Sequence, residues 1–128
     1  MRVLVDTHLL LWAAANSERL PAEARDLVED PAHEIFFSAA SIWEIAIKRA
    51  LRRKDFTVDL PELLKALPAM GFVELPVRSV HAARVVRLPD VHRDPFDRLL
   101  VAQSLTEPLI LVTNDAILAR YSKDVRVV

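Results

Sequence analysis

The segment HRDPFDRLL, residues 92–100, places two carboxylates at the start of an otherwise apolar run. Asp94 precedes Pro95, which is the order of a helix N-cap followed by a proline in the first turn. Asp97 then lies at the third helical position, where the helix dipole attracts a negative charge. Capping explains one carboxylate readily, whereas two charges beside a segment that is to be buried also suit the binding of a cation.

Three further acids stand at the ends or starts of predicted elements. Asp6 directly follows the apolar stretch RVLV, and Asp115 follows LILV after two residues. Both aspartates also suit helix N-caps. Glu44 is harder to explain structurally, because the helix around it, SIWEIAI, is apolar on almost every side. Its structural alternative is an exposed ion pair with Lys48, a weak interaction of roughly 0.2–0.5 kcal/mol.

The pattern of apolar and polar residues predicts alternating strands and helices. Runs of β-branched and apolar residues predict strands, and helical spacing between capping residues and prolines predicts helices. The predicted strands are 2–5, 34–38, 72–75, 109–112 and 125–128, and the predicted helices are 7–15, 21–30, 40–54, 60–70, 80–86, 95–104 and 116–121. This alternation is typical of one α/β domain, residues 1–128, with a parallel sheet and helices on both faces.

That topology predicts where the four acids meet. In right-handed β-α-β units the helices run antiparallel to the strands, so strand carboxyl ends and helix amino ends share one edge. We expect Asp6, Glu44, Asp97 and Asp115 to face that edge, where mutual repulsion would disfavour them unless a cation lay among them. Oxygen ligands without cysteine or a zinc-type histidine pair suit Mg²⁺ or Mn²⁺, ions that commonly act on phosphates.

The composition of the 128 residues excludes several other classes of protein. A single glycine, Gly71, cannot build the GxGxxG or GxxxxGK[ST] loops of nucleotide-binding enzymes. The absence of cysteine removes disulfides and thiolate nucleophiles, and fits a cytoplasmic location. No apolar stretch approaches the roughly 20 residues of a membrane span, and Asp6 and His8 interrupt any secretory signal. A net charge of −1 gives no global argument for nucleic acid, so that function must rest on a local site.

Four motifs occur in order along the chain. They are VLVDTHLLLW near the amino terminus, FFSAASIWEIAIK in the middle, and HRDPFDRLLVAQS and ILVTND toward the carboxyl terminus. Together they span nearly the whole sequence and resemble the PIN-domain ribonucleases of the VapC toxin type. The resemblance implies a three-layer α/β/α fold with a central parallel sheet of about five strands, and RNA cleavage that depends on Mg²⁺ or Mn²⁺.

The resemblance also implies roles for individual residues. The acids that bind the metal and carry catalysis in the family correspond here to Asp6, Glu44, Asp97 and Asp115. The small polar residues near the metal correspond to Thr7, Ser38 and Thr113. Asp94 belongs to the DPFDR form of the motif, and we interpret it as the cap that fixes Asp97.

The family resemblance further implies partners. Toxins of this type are normally inhibited by a VapB-type antitoxin, which lays a segment along a groove of the toxin, and they tend to form homodimers. The segment Leu9–Trp12 is apolar around its predicted helix, so one side is expected on the sheet and another on such a partner. An ordinary core helix is the alternative for Trp12, and Trp43 is expected in the core.

Basic residues near the acids are candidates for contact with RNA phosphates. Those that end the helix of Glu44 are Lys48, Arg49, Arg52, Arg53 and Lys54. A cluster of this kind also simply satisfies the dipole of its helix. Arg93 and Arg98 flank the acidic motif, although Arg98 alternatively neutralises Asp94. The sequence contains no aromatic-rich RNA-binding motif, so we expect recognition through RNA shape and local context.

Metal-free cleavage of RNA would use histidines as acid and base. The four histidines are His8, His33, His81 and His92, and their scatter along the chain argues against that mechanism. His8 and His92 lie closest to the acidic motifs, where we expect supporting or surface positions.

Two other functions compete with the nuclease. A receiver domain of two-component signalling has a similar length and Mg²⁺-binding acids, but it needs an acidic pair after the first strand and a lysine after the last. Here Asp6 is followed by Thr7, and the last predicted strand, 125–128, ends the sequence. A catalytically silent PIN domain that only binds a partner is the second alternative, and the intact set of acids argues against it.

Overall fold

The computed structural model describes residues 1–128, which alternate between strands and helices along most of their length. The strands are β1 (Arg2–Val5), β2 (Glu34–Ser38), β3 (Val73–Leu75), β4 (Ile110–Thr113) and β5 (Val125–Val127). The helices are α1 (Thr7–Ala14), α2 (Ala22–Glu29), α3 (Ala39–Ala50), α4 (Leu60–Ala69), α5 (Ser79–Arg84) and α6 (Pro95–Thr106). Short 3₁₀ helices follow α5 and β4, at Val85–Arg87 and Ala116–Arg120. None of the helices combines the length and apolar character that crossing a membrane requires.

The five strands form one parallel sheet in the order β3-β2-β1-β4-β5. β1 is central, and its Leu4 lies in register between Phe36 of β2 and Leu111 of β4. The chain builds one half of the sheet on each side of β1, so the strand order reverses there. Crevices at such a reversal lie beyond the carboxyl ends of the strands, where Asp6 follows β1.

Each face of the sheet supports its own core, because successive strand residues point to opposite faces. Val3 and Val5 belong to a cluster of 17 buried residues that includes side chains of α1, α2, α3 and α4. Leu4 belongs to a second cluster of nine buried residues, which includes Leu100 of α6 and Leu118 of the last 3₁₀ helix. Helices on both faces of a parallel sheet confirm the predicted three-layer α/β/α fold.

The predicted boundaries of the elements agree with the observed ones within two residues, except at α3. The prediction extended this helix to residue 54, whereas it ends at Ala50. Arg52 takes a left-handed φ of 58°, and the N–H groups of Arg52 and Arg53 turn back to the carbonyls of Arg49 and Lys48. These are the two bonds of a Schellman motif. Its left-handed residue is usually glycine, so an arginine at this position gave no stop signal in the sequence.

Trp43 of α3 lies at the surface, with 62% of its area exposed. The prediction of a core position is therefore wrong. The buried face of α3 carries Glu44 and Ile45, which turns the Trp43 ring outward. Its ring meets Phe96 of α6 edge to face, with ring centroids 5.4 Å apart.

Most of the apolar residues of α1 are buried in the core of the domain. Leu9, Leu10 and Leu11 are all buried, whereas Trp12 is half-buried and carries the Arg19 guanidinium 5.0 Å from its ring centroid. The segment Leu9–Trp12 was expected to present an apolar side to a partner. Within this segment, only Trp12 is accessible for such a contact.

Candidate functional site

Asp6 connects the end of β1 to α1 through both of its carboxylate oxygens. Oδ1 accepts the Leu9 N–H at 2.9 Å and caps α1, while Oδ2 accepts the Thr113 hydroxyl at 2.5 Å. The bond to Thr113 joins the ends of β1 and β4, and the Thr113 oxygen also accepts the Asp115 N–H at 3.0 Å. Burial raises the pKa of Asp6, and the hydrogen bonds from Thr113 and Leu9 oppose that rise. A carboxylate in these surroundings gains from a nearby cation.

Glu44 is buried on the inner face of α3 and is held from two sides. The Thr7 hydroxyl donates to Oε1 at 2.7 Å and lies 2.9 Å from the Ser41 hydroxyl. The Lys48 ammonium pairs with Oε2. The structural alternative of a Glu44–Lys48 pair is thus present, but on a buried rather than an exposed carboxylate. Ser41 is a contact that the sequence reasoning missed, because a serine at a helix start reads as a capping residue.

Asp94 is the N-cap of α6. Its Oδ1 accepts the Phe96 N–H at 2.8 Å and the Asp97 N–H at 3.2 Å. Pro95 occupies the first helical position, as the Asp-Pro order predicts. The cap fixes the first turn of α6 and, with it, the backbone of Asp97.

Asp97 accepts no capping bond of its own, because Asp94 satisfies the backbone there. Its surroundings are dominated by burial and by other carboxylates. Burial raises the pKa of Asp97 to about 7, and the negative charges of Asp94, Glu44 and Asp6 contribute to that rise, while His92 opposes it. Asp94 from the same helix start, and Glu44 and Asp6 from two other segments, therefore act on this one side chain, at the edge where the topology predicted that the acids meet.

The tightest group at this edge consists of Asp97, Asp115 and His92, whose ligand atoms all lie within 4.8 Å of one another. Asp115 uses Oδ1 to cap the last 3₁₀ helix through the Ile117 N–H at 3.0 Å. Its Oδ2 lies 3.0 Å from His92 Nε2, and Asp97 Oδ2 lies 3.4 Å from the same nitrogen. Asp6 stands outside this group and connects to Asp115 through Thr113.

His92 received only a supporting or surface position in the sequence reasoning. The one available signal was its place two residues before Asp94 in the acidic motif. Tyr121, which accepts the His92 backbone N–H at 2.8 Å, gave no signal at all. The contact joins residues 29 positions apart, so only the folded chain reveals it.

Two predicted positioning residues point away from the acids. Ser38 is fully buried, donates to Gln103 Oε1 at 2.6 Å and accepts the Ala40 N–H at the start of α3. Arg98 donates to the carbonyls of Val85 and Pro89, each at 3.0 Å. The alternative in which Arg98 neutralises Asp94 is wrong, because no ion pair joins them.

The basic residues differ in how free their side chains are. Lys48 is engaged with Glu44, and the Arg49 Nε donates to the Val58 carbonyl at 2.7 Å. Among the basic residues that the sequence analysis singled out, Arg52, Arg53, Lys54 and Arg93 are exposed and form no ion pair. These four side chains therefore remain available to an anion.

Residues 3–124 match the family model of the PIN domain. The chain belongs to the PIN-domain family. A curated relative, Ribonuclease VapC22 of Mycobacterium tuberculosis, is 31% identical over 114 residues, which cover 88% of this chain and 86% of that protein. The resemblance to VapC-type PIN domains is thereby confirmed, and the alternative of a receiver domain is wrong.

Solved structures share the PIN fold at lower identity. A structure of VapBC2 from Rickettsia felis, bound to a DNA fragment from its promoter, has a TM-score of 0.68 and 14% identity over 100% of this chain and 98% of that one. A structure of FitAcB from Neisseria gonorrhoeae has a TM-score of 0.62 and 21% identity over 98% and 95% of the two chains. At these identities the likeness shows the fold alone.

The donor atoms at this edge of the PIN domain fit a hard divalent cation. Carboxylate oxygens predominate, since the group of close ligand atoms contains one imidazole, that of His92, and the chain has no cysteine. Mg²⁺ and Mn²⁺ prefer such oxygen donors, whereas Zn²⁺ in proteins usually takes nitrogen and sulfur. Burial first, and then the neighbouring carboxylates, raise the pKa of Asp97, so this group favours either a proton or a cation beside it.

Proposed function

We propose that this PIN domain, residues 1–128, is an endoribonuclease that depends on Mg²⁺ or Mn²⁺ and acts in the cytoplasm as the toxin of a type II toxin–antitoxin module. One observation carries the proposal: Asp97 lies close to Asp115, and the negative charges of Asp6 and Glu44 also act on Asp97. Four acids from separate segments are costly to bring together unless they serve a cation. The similarity to Ribonuclease VapC22 supports the same reaction.

Asp6, Glu44, Asp97 and Asp115 would hold one or two divalent ions. A bound ion of this kind makes water easier to deprotonate and stabilises charge on the oxygens of a phosphodiester. Hydrolysis by water should leave a 5′-phosphate and a 3′-hydroxyl. Asp97 is well suited to a metal ligand, because neither of its oxygens is used as a helix cap.

The chain itself holds the acids in position before substrate arrives. Thr113 donates to Asp6, and Thr7 with Lys48 fixes the two oxygens of Glu44. Preorganised carboxylates need little rearrangement during the reaction, which lowers its barrier. Thr7 and Thr113 therefore act in this proposal by orienting carboxylates.

The RNA backbone would lie across the acidic edge, held by cations that are free of other contacts. Arg93 directly precedes Asp94 and is exposed, and Arg52 is exposed beyond the end of α3. Lys48 and Arg49 are committed to contacts within the chain, so we assign them a smaller share of phosphate binding. Such contacts carry no base specificity, in keeping with recognition through RNA shape.

A VapB-type antitoxin is the proposed inhibitor. The likeness to the structures of VapBC2 and FitAcB supports a partner of this kind. A cleft of about 320 Å³ beside α1 offers it a place, lined in part by Trp12, Arg19, Lys54 and Val58. Arg19 is paired with Asp55 in the wall of this cleft, so the apolar Trp12 and Val58 with Lys54 suit a segment that carries an apolar anchor next to an acidic residue.

The proposed homodimer would use the surface around Trp43. Trp43 and Phe96 line an apolar cleft of about 300 Å³ between α3, α5 and α6, and Val85 contributes to its wall. Val86 nearby is 86% exposed. A contiguous exposed apolar surface is typical of a protein–protein contact, and two-fold dimers pair one such surface with itself.

Cleavage of a single-stranded RNA by the purified chain tests the nuclease directly. With Mn²⁺ present we expect cleavage that EDTA abolishes and that Asp97→Asn lowers by about 100-fold or more, because several kcal/mol of charge stabilisation is lost. Asp26→Asn, which changes an exposed aspartate on α2, should leave the rate unchanged. The end groups of the fragments are to be identified in the same assay.

Cleavage that continues in excess EDTA, or products with a 2′,3′-cyclic phosphate, would contradict the proposed mechanism. A well-folded wild-type chain that binds a partner but cleaves no RNA in Mn²⁺ would instead support the catalytically silent PIN domain.

A further inference from the structure

His92 lies between two acids that come from different parts of the chain. Its Nε2 is 3.0 Å from Asp115 Oδ2, just before the last 3₁₀ helix, and 3.4 Å from Asp97 Oδ2 on α6. The ring is largely enclosed, with 19% of its side chain exposed. One imidazole nitrogen therefore lies close to two carboxylates that the proposed function assigns to a metal site.

The hydrogen bonds of the ring define which nitrogen carries the proton. Nδ1 accepts the Asp94 backbone N–H at 3.0 Å, so this nitrogen presents its lone pair to the backbone. In a neutral imidazole the other nitrogen then bears the hydrogen. Nε2 is accordingly a donor to Asp115 Oδ2, with Asp97 Oδ2 3.4 Å away, and neither nitrogen is left with a lone pair for a metal ion.

The backbone that presents His92 is held independently of the acids. The His92 N–H donates to the Tyr121 hydroxyl oxygen at 2.8 Å, and the same oxygen accepts Arg98 Nη1 at 3.1 Å. Arg98 also binds the carbonyls of Val85 and Pro89 in the segment that leads to His92. The imidazole is thus fixed at its backbone, at Nδ1 and at Nε2.

We propose that His92 is a positioning residue, whose Nε2–H holds Asp115 Oδ2 beside Asp97 Oδ2 so that both carboxylates face one cation. The inference rests on the proposed function. Hydrogen-bonded partners of ligating groups commonly set ligand orientation, and their loss lowers metal affinity by about 10- to 100-fold. A donor whose other nitrogen is already bound to the backbone suits this task, because it orients a carboxylate without competing as a ligand for a hard ion.

Binding of Mn²⁺ to the full chain, measured by calorimetry and by electron paramagnetic resonance without RNA, tests the inference. His92→Gln places an amide N–H near the position of Nε2, so we expect the Mn²⁺ affinity to stay within about threefold of the wild type. His92→Asn keeps only a group near the position of Nδ1, and His92→Ala keeps neither. Both of these variants should bind Mn²⁺ about 10- to 100-fold more weakly.

The matched control is His33→Ala. The His33 side chain is 17% exposed and binds the Leu27 carbonyl and Asp30, far along the chain from the acids. Its removal should leave Mn²⁺ affinity unchanged. Circular dichroism melts accompany every variant, and if His92→Ala fails to fold, the comparison of Gln with Asn still decides the result.

The outcomes separate the positioning role from the proposed function. Rescue by Asn and not by Gln would overturn the inference, because His92 would then act through the Asp94 backbone. Nitrogen hyperfine coupling from His92 to bound Mn²⁺ would also overturn it, because the residue would be a ligand. Equal affinity of the wild type and His92→Ala refutes the inference alone, whereas a wild type that binds no Mn²⁺ refutes the proposed function with it.

Discussion

At the scale of single residues, the aspartates of the acidic edge divide their oxygens between folding and the candidate site. Asp6 and Asp115 each cap a helix with Oδ1 and turn Oδ2 toward Thr113 and His92. Asp97 caps nothing, because Asp94 performs that task for α6. Capping and metal binding are therefore compatible for Asp6 and Asp115, and a substitution has to be chosen so that it separates them.

Asp6→Asn should separate charge from capping at the amino end of α1. Near neutral pH, we expect its free energy of unfolding to equal that of the wild type or to rise, since the amide oxygen still caps and a buried charge has gone. Asp6→Ala removes the cap and should cost about 1 kcal/mol. Urea unfolding of the metal-free proteins measures both. An equal loss in Asn and Ala would mean that the charge itself stabilises the fold.

The raised pKa of Asp97 makes the stability of the metal-free protein depend on pH. The carboxyl titrates at 3.8 in the unfolded chain and at about 7 in the folded one, so between these values the folded protein binds more protons. The stability that protonation contributes is fully present below the unfolded pKa and is lost as the pH rises through about 7. Between about pH 5 and about pH 8 in EDTA, we expect a fall of about 2 kcal/mol.

Asp97→Asn is the control for that titration, because it removes the group while keeping its shape. Its unfolding free energy in EDTA should fall less over the same pH range than that of the wild type. Parallel pH profiles for the two proteins would contradict the raised pKa of Asp97.

At the scale of elements, helix termini set the positions of the side chains that matter here. The Asp94 cap and Pro95 start α6 at the residue that brings Asp97 to the edge. The Schellman motif stops α3 at Ala50 and lifts Arg52 and Arg53 away from the helix axis. Because the helix ends at Ala50, Lys48 and Arg49 belong to the helix that carries Glu44, whereas Arg52 and Arg53 lie in the loop that follows it.

The left-handed backbone of Arg52 gives a test of this helix end. Arg52→Gly should raise the free energy of unfolding by about 0.5 kcal/mol, because relief of left-handed strain exceeds the added entropy of glycine in the unfolded chain. Arg53→Gly is the matched control, since Arg53 has no positive φ, and it should destabilise instead. Chemical denaturation distinguishes the two. Destabilisation by both substitutions would argue against the observed end of α3.

At the scale of the whole molecule, the reversal of strand order at β1 brings the two halves of the chain together. Asp6 follows the central strand, Glu44 comes from the half that contains β2 and β3, and Asp97 and Asp115 come from the half that contains β4 and β5. The same arrangement places α3 beside α6, so that Trp43 meets Phe96 on the outer surface. The acidic edge and the proposed dimer surface are therefore consequences of one topology.

Trp43→Ser tests the dimer. Sedimentation analysis should show a dissociation constant at least about tenfold weaker than that of the wild type, because exposed tryptophans often carry a large share of the binding energy at an interface. Leu64→Ser on α4, also an exposed apolar residue at 48%, is the control and should not change it. A wild-type chain that stays monomeric at high concentration would refute the homodimer.

The types and order of the elements were predictable from the sequence, as was the edge that the acids share. Strand and helix patterns, the Asp-Pro cap of α6 and the alternation of elements depend on neighbours along the chain. A parallel sheet then sends strand carboxyl ends to one side whatever the details of packing. The metal-binding roles of Asp6, Glu44, Asp97 and Asp115 remain predictions that the proposed experiments address.

Only the tertiary structure decided which side chains the acids contact and which residues stay exposed. His92 between Asp97 and Asp115, Arg98 on backbone carbonyls and Trp43 at the surface depend on contacts between residues far apart in the sequence. The sequence by itself determined the elements, because periodicity and capping are local. Several side-chain positions have nearly equal local energies, and contacts between distant parts of the chain select one of them. A pattern of neighbouring residues contains no information about those contacts.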